Sequence, residues 1–223
     1  MSQYRENKLQ EVRPGNSFAN FTPNHESQEK VCDLLMALVE QLVANQEVIA
    51  GERHPFADAS LLFVYGAPGR GKTHLVEAFI NELRLRAPNV YKRMVLSRGN
   101  FYYDYQTSEN PYFDAPIVVI DDMFHNKMNV SELRPNAEIQ TFMKFIGDLY
   151  DRRRLVLVTS NFSLIEGGIM QRVREVDTVG RIISRAVEVL SHCGEFRLEG
   201  PDYREIIAAK SKAGGISLKL GKF

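Results

Sequence analysis

Two rhythms of apolar residues alternate along this chain. Leu61 to Tyr65, Ile117 to Ile120 and Leu155 to Val158 are short unbroken apolar runs bounded by polar residues. Such runs predict strands buried on both faces, as in a parallel sheet. Between them, apolar residues recur every three or four positions. Val31, Leu34, Leu35, Leu38 and Leu42 predict one helix, and Thr22-Pro23 reads as its start, a capping threonine before proline at the first helical position. Thr73 to about Arg84 predicts a second helix. Ile139, Phe142, Met143, Ile146 and Leu149 mark a third, beginning near Asn136. A fourth carries Val179, Ile182, Ile183, Ala186, Val187 and Leu190, which leaves Arg181 and Arg185 on its outer face. Two weaker strands complete the pattern: Val90 to Leu96, interrupted by Lys92 and Arg93, and Glu195 to Leu198, which alternates. Ser163 to Asp177 reads as helical with a break at Gly167-Gly168. Tyr203 to about Lys212 reads as a short helix, and His125 to Pro135 as a long polar connection. Strands alternating with helices predict an α/β fold, a doubly wound parallel five-stranded sheet with helices on both faces.

Composition narrows this little. With 44% hydrophobic and 25% charged residues, the 223-residue chain has the make-up of a soluble globular protein. Lys+Arg and Asp+Glu both number 28, which argues against bulk electrostatic attraction to nucleic acid as its main affinity. Cys32 and Cys193 are far apart and lack metal spacing, as expected of free thiols in a reducing compartment. The absence of a signal segment or long apolar run predicts a cytoplasmic protein with no membrane contact. Residues 1–17 are polar and predict a flexible N-terminal arm, residues 18–208 a single domain, and residues 209–223 a loose basic tail.

The chemistry concentrates at strand ends. Gly66, Gly71, Lys72 and Thr73 match G-x-x-x-x-G-K-[ST] between a predicted strand and a predicted helix, the context a phosphate loop needs. Backbone N–H groups there can cradle a polyphosphate, with Lys72 on the β/γ-phosphates and Thr73 on Mg²⁺. Gly66, Ala67, Pro68, Gly69, Arg70, Gly71, Lys72, Thr73 and His74 are therefore candidate nucleotide contacts. Asp121 and Asp122 end the third strand, where open α/β sheets place ligands. Asp121 is the candidate magnesium ligand, directly or through water, and Asp122 the group that orients attacking water or accepts its proton. Asn161, at the tip of the next strand, is placed to bond the γ-phosphate or that water. The aromatic cluster Phe101, Tyr102, Tyr103 and Tyr105 reads as packing under a loop, and Asp151-Arg152-Arg153-Arg154 as a solvated helix end.

GAPGRGKTHL at 66–75, IVVIDDMF at 117–124, LVLVTSNF at 155–162 and GRIISRAVEVL at 180–190 together resemble the AAA+ ATPases. Within these they are most similar to the DnaC-type helicase loaders and DnaA-type replication initiators, with IstB-type transposition helpers close by. Phe18-Ala19-Asn20-Phe21 with Asn24 resembles the box that flanks the adenine, which implies that Phe21 touches the base. Ser184-Arg185 falls at the family's arginine finger. The resemblance thus implies that Arg185, or else Arg181, acts in trans on ATP bound to a neighbouring subunit of a homo-oligomer. The segment after the last strand is too short for the family's full C-terminal lid, so a P-loop sheet of the AAA+/ASCE type without a full lid is expected.

The function so implied is an ATP-dependent replicative-helicase loader in DNA replication. It uses ATP and Mg²⁺, contacts single-stranded DNA, and has a DnaB-type helicase as partner, met through the arm over residues 1–15. Three alternatives stay open: an IstB-type helper, a nucleoside monophosphate kinase-like enzyme, and an ATP-binding switch that does not hydrolyse.

Overall fold

The structure is a computed structural model that describes residue 9 and residues 11–99, 101–106, 115–124, 133–166, 169–176 and 180–206. The tail over 209–223, Val179, Gly167-Gly168 and most of the connection from His125 to Pro135 lie outside the described residues.

Five parallel strands form one sheet, in the order β2-β3-β4-β1-β5. They are β1 (Ser60–Tyr65), β2 (Met94–Arg98), β3 (Ile117–Met123), β4 (Leu155–Ser160) and β5 (Gly194–Arg197). The expected doubly wound α/β sheet is the observed one. The three unbroken apolar runs occupy its centre: β4 lies between β3 and β1, and all of its residues are buried. A strand covered on both faces has no polar side to show, which is why its sequence does not alternate.

Helices cover both faces. On one pack α1 (Glu26–Ala44), α2 (Gln46–Gly51), α3 (Lys72–Arg86) and α4 (Pro88–Tyr91). On the other pack α5 (Phe101–Gln106), α6 (Leu133–Arg152), α7 (Ile169–Val176) and α8 (Arg181–Cys193). Phe101 and Tyr105 of α5 meet Phe145 edge-on at 5.0 and 5.9 Å, so these aromatics serve packing, as expected.

Four expectations need correction. First, α1 begins at Glu26, capped by His25, whose Nδ1 accepts from Ser27 N–H; Thr22-Pro23 stays outside the helix. Second, Val90 belongs to a helical turn because Pro88, pre-set for a first helical position, starts one; β2 begins only at Met94. Third, α8 buries Ala186, Val189 and Leu190, whereas Val187 is 60% exposed. At about 100° per residue, Val187 lies about 100° from the middle of that stripe and Val189 only about 60°. Fourth, Arg154 in the basic run is buried and does not belong to a solvated end.

The described part of the expected arm is not detached. Leu9 and Val12 are buried in the core cluster beside α3, and residues 11–17 lie along that helix. No helix among the described residues is long and apolar enough to cross a membrane.

Candidate nucleotide site

The phosphate loop leaves β1 at Tyr65 and enters α3 at Lys72. Gly69 and Gly71 take φ of 78° and 91°, the left-handed region that favours glycine. Both positions are also crowded. A Cβ at Gly71 would stand 2.7 Å from the Phe21 ring, and one at Gly69 2.0 Å from the Asp202 carboxylate. The loop is thus gripped between the chain before α1 and the chain after β5.

Lys72 is 8% exposed, and its ammonium donates to the carbonyls of Gly66 at 2.6 Å and Ala67 at 3.0 Å. Burial pushes it down to about 8 from its ordinary 10.5, against the opposing pull of Asp122 and Asp121. Arg204 and Arg70 add to the drop.

Asp121 is buried beneath the loop. Its Oδ1 accepts from Thr159 Oγ1 at 2.7 Å and Thr73 Oγ1 at 3.3 Å, and its Oδ2 from Arg98 Nε at 3.2 Å. Burial pushes the Asp121 carboxyl upward, while Thr159, Arg98 and Thr73 pull it back and Asp122 adds to the rise. Beside it, β3 shifts register against β4 between Ile120 and Met123. Asp122 and Phe124 there adopt φ of 63° and 57°, conformations that cost a side-chain-bearing residue energy. Thr159 Oγ1 accepts from Asp122 N–H at 2.8 Å, stitching the irregularity to β4. Asp121 points under the loop and Asp122 reaches the pocket, where Asn161 Nδ2 donates to its Oδ1 at 3.4 Å.

These groups face one cavity of about 580 Å³. The phosphate loop and the start of α3 line it through Pro68, Gly69 and Gly71 to His74, together with Asp122 and Asn161. One wall is Arg13, Asn16, Asn20, Phe21, Thr22 and Asn24; the other is Tyr203, Arg204 and Ile206. Phe21 lies between His74 and Tyr203, with ring centroids 5.3 and 5.9 Å away. Of the expected site residues, Phe21, Pro68, Gly69, Gly71, Lys72, Thr73, His74, Asp122 and Asn161 therefore line one pocket. Asp121 sits behind it, and Gly66, Ala67 and Arg70 complete the loop.

Thr73 and Asp121 fit a magnesium ion. They bring a hydroxyl and a carboxylate oxygen together beside the phosphate loop, and no larger acidic or histidine cluster exists among the described residues. Mg²⁺ needs no more, because it takes one or two protein oxygens and completes its shell with phosphate and water.

Arg185 stands apart from this pocket. Its guanidinium pairs with Asp151 at 3.2 Å and lies over the Tyr150 ring at 4.9 Å. The side chain is 27% exposed, so it packs on α6 and does not face free water as expected. Arg181 is exposed. The sequence reading missed Thr159, Arg98, Glu77, Arg13 and Arg204. Two of these, Arg98 and Thr159, end apolar runs beside Asp121, the one signal that would have flagged them.

A family described as RNA helicase matches residues 62–162, from β1 through the residues just after β4. The chain is 26% identical over 159 residues to the chromosomal replication initiator protein DnaA of Limosilactobacillus fermentum, covering 67% of this chain and 34% of that protein. It thus spans about a third of that relative's length. Among solved structures, a replication initiator DnaA bound to AMPPCP and single-stranded DNA is similar with a TM-score of 0.53 and 18% identity, over 94% of this chain and 58% of that one. The DnaC helicase loader is similar with a TM-score of 0.50 and 16% identity, over 82% of this chain and 97% of that one.

Proposed function

We propose that this chain is a DnaC/DnaA-like AAA+ ATPase that binds and hydrolyses ATP to load a replicative helicase of the DnaB type onto single-stranded DNA. The observation that carries the ATPase part is the convergence of the phosphate loop, Asp122 and Asn161 on one cavity, with Asp121 bonded to Thr73 just behind it. The loop N–H groups and the N-terminus of α3 hold the phosphates. Lys72 turns its ammonium from the loop carbonyls to the β/γ-phosphates, which suits a cation already short of solvation. Thr73 and Asp121 would hold Mg²⁺, which when bound neutralises charge on the phosphate oxygens. Asp122 accepts the proton of the attacking water, and Asn161 fixes the carboxylate that does so. Phe21 and Tyr203 flank the base.

Arg185 serves in trans. In a homo-oligomer it would leave Asp151 and reach ATP on the adjoining subunit, stabilising charge in the transition state. The helicase and DNA parts of the proposal draw on the relatives: one similar structure is a helicase loader, and another holds single-stranded DNA. A cytoplasmic location suits this role.

The test is ATP turnover measured alone, with single-stranded DNA, and with a DnaB-type helicase. Turnover altered by the helicase supports loading. Turnover that responds to neither would leave a plain ATPase. ATP binding without turnover would make the chain a switch, and phosphate transfer to an acceptor nucleotide would make it a kinase.

A further inference from the structure

Helix α3 presents His74, Glu77 and Asn81 to residues 11–17, and their spacing puts all three on one face. Glu77 is fully buried. Its Oε2 accepts from Arg13 Nε at 2.8 Å and from Asn16 Nδ2, and its Oε1 accepts from Arg98 Nη2 at 2.9 Å. Arg98 turns Nε to Asp121 Oδ2 at 3.2 Å. Asn81 Nδ2 donates to the carbonyls of Arg13 and Asn16, both at 2.8 Å. One buried carboxylate therefore joins an N-terminal strap to the acidic residue beneath the phosphate loop.

We infer that Glu77 is a positioning residue that couples docking of the strap over residues 11–17 to cation binding at Asp121, an inference that takes the pocket to be a Mg·ATP site. The reason is the division of Arg98. Its planar fork is shared between two carboxylates, so it meets Asp121 through one nitrogen only. Without the charge at Glu77, the fork would turn fully onto Asp121 and compete with a cation for its oxygens. A displaced strap acts in the same direction: without Arg13 and Asn16 on its Oε2, and with water admitted beside it, the Glu77 carboxylate holds Arg98 less firmly and the fork turns towards Asp121. Coupling of this kind is reciprocal: the cation must tighten the strap as much as the strap helps the cation.

The experiment compares ATP affinity in Mg²⁺ with that in EDTA and, in parallel, hydrogen exchange of residues 11–17. In the wild type, ATP with Mg²⁺ should protect residues 11–17 more than ATP in EDTA does. Glu77→Gln should lower the affinity ratio by about tenfold, as loss of a metal site's outer partner does, and should speed exchange in the strap. Asn81→Ala touches neither the pocket nor Glu77; it should speed the same exchange and lower the ratio by about threefold. An unchanged ratio in Glu77→Gln overturns the inference, as does a loosened strap with an unchanged ratio in Asn81→Ala. Should Glu77→Gln fail to fold, Asn81→Ala and the wild-type comparison decide the matter. A wild type that binds no ATP defeats the proposed function itself, whereas Mg²⁺-dependent binding indifferent to both substitutions defeats only the coupling.

Discussion

The state of Lys72 makes ATP affinity depend on pH in a direction that follows from its burial. In the free protein the ammonium titrates at about 8. A bound polyphosphate would bring several negative charges to it and restore the ordinary 10.5 or more. Between those values the free protein holds Lys72 neutral and the complex holds it charged, so binding takes up a proton and affinity falls as pH rises. At pH 9 the loss relative to pH 7 is about tenfold, or about 1.4 kcal/mol. The phosphate's own last ionisation lies below this window and does not contribute. Stability of the free protein should move oppositely. A lysine whose folded pKa is depressed contributes stability that is present above 10.5 and lost as pH falls through about 8. The free chain therefore gains from this group over the same range in which it loses ATP, which separates the effect from alkaline unfolding. Titration calorimetry at pH 8.5 in two buffers of different ionisation enthalpy measures the proton uptake directly. Lys72→Arg, always charged, should bind without uptake. Affinity that stays level from pH 7.5 to 9.5, with no proton taken up, would refute a depressed Lys72.

Asp122→Asn should bind ATP as the wild type does and lose at least about 100-fold in turnover, the lower end for a lost general base; near-normal turnover would remove Asp122 from the reaction. Arg185→Ala should bind ATP normally but hydrolyse it about 10³-fold more slowly, while loss of its half-exposed pair with Asp151 costs at most about 1 kcal/mol. Mixing it with Lys72→Ala in one oligomer should restore part of the activity, and full activity of Arg185→Ala alone would rule the residue out. Deleting residues 1–15 should lower the melting temperature, because Leu9 and Val12 are buried and each such side chain is worth about 1.5–3 kcal/mol. An unshifted melt would mean that the segment is detached after all.

The sheet and the loop were legible because each is spelled by a local rule. A strand covered on both faces must be apolar throughout, and a phosphate loop must carry glycine where the backbone turns left-handed and crowds its neighbours. Asp121, Asp122 and Asn161 were legible by their position at strand ends. The structure puts Asp121 under the loop and Asp122 in the pocket, beside a register shift in β3 that is invisible in IVVIDD. The N-terminal strap was misread for a different reason. Its contacts with α3 are mostly ionic and amide bonds to Glu77 and Asn81, and a polar helix face looks the same in sequence whether it meets water or another segment. Arg185 was read as outward-facing from periodicity alone, which cannot see that Tyr150 and Asp151 of α6 lie alongside it.

Gln28 shows what such reading can recover. It falls in step with Val31, Leu35 and Leu42 on the buried face of α1, so a polar residue occupies a core position. A buried amide must find partners or cost stability. Gln28 finds them in both walls of the pocket. Its Oε1 accepts from Asn24 N–H at 2.7 Å and from the Tyr203 hydroxyl at 3.2 Å, and its Nε2 donates to the Glu199 carbonyl at 2.8 Å. The one proton of the Tyr203 hydroxyl is shared between Gln28 and the Thr22 carbonyl, and the Tyr203 N–H donates to the Gly69 carbonyl at 3.1 Å. Gly200 leaves room for this junction, since a Cβ there would stand 3.1 Å from Gln28 Nε2. The two walls are thus bonded to each other and to the phosphate loop through side chains that are not themselves needed for chemistry. A pocket closed in this way holds its shape before a nucleotide arrives, so that binding energy goes into the phosphates and the base with little left to order the chain around them.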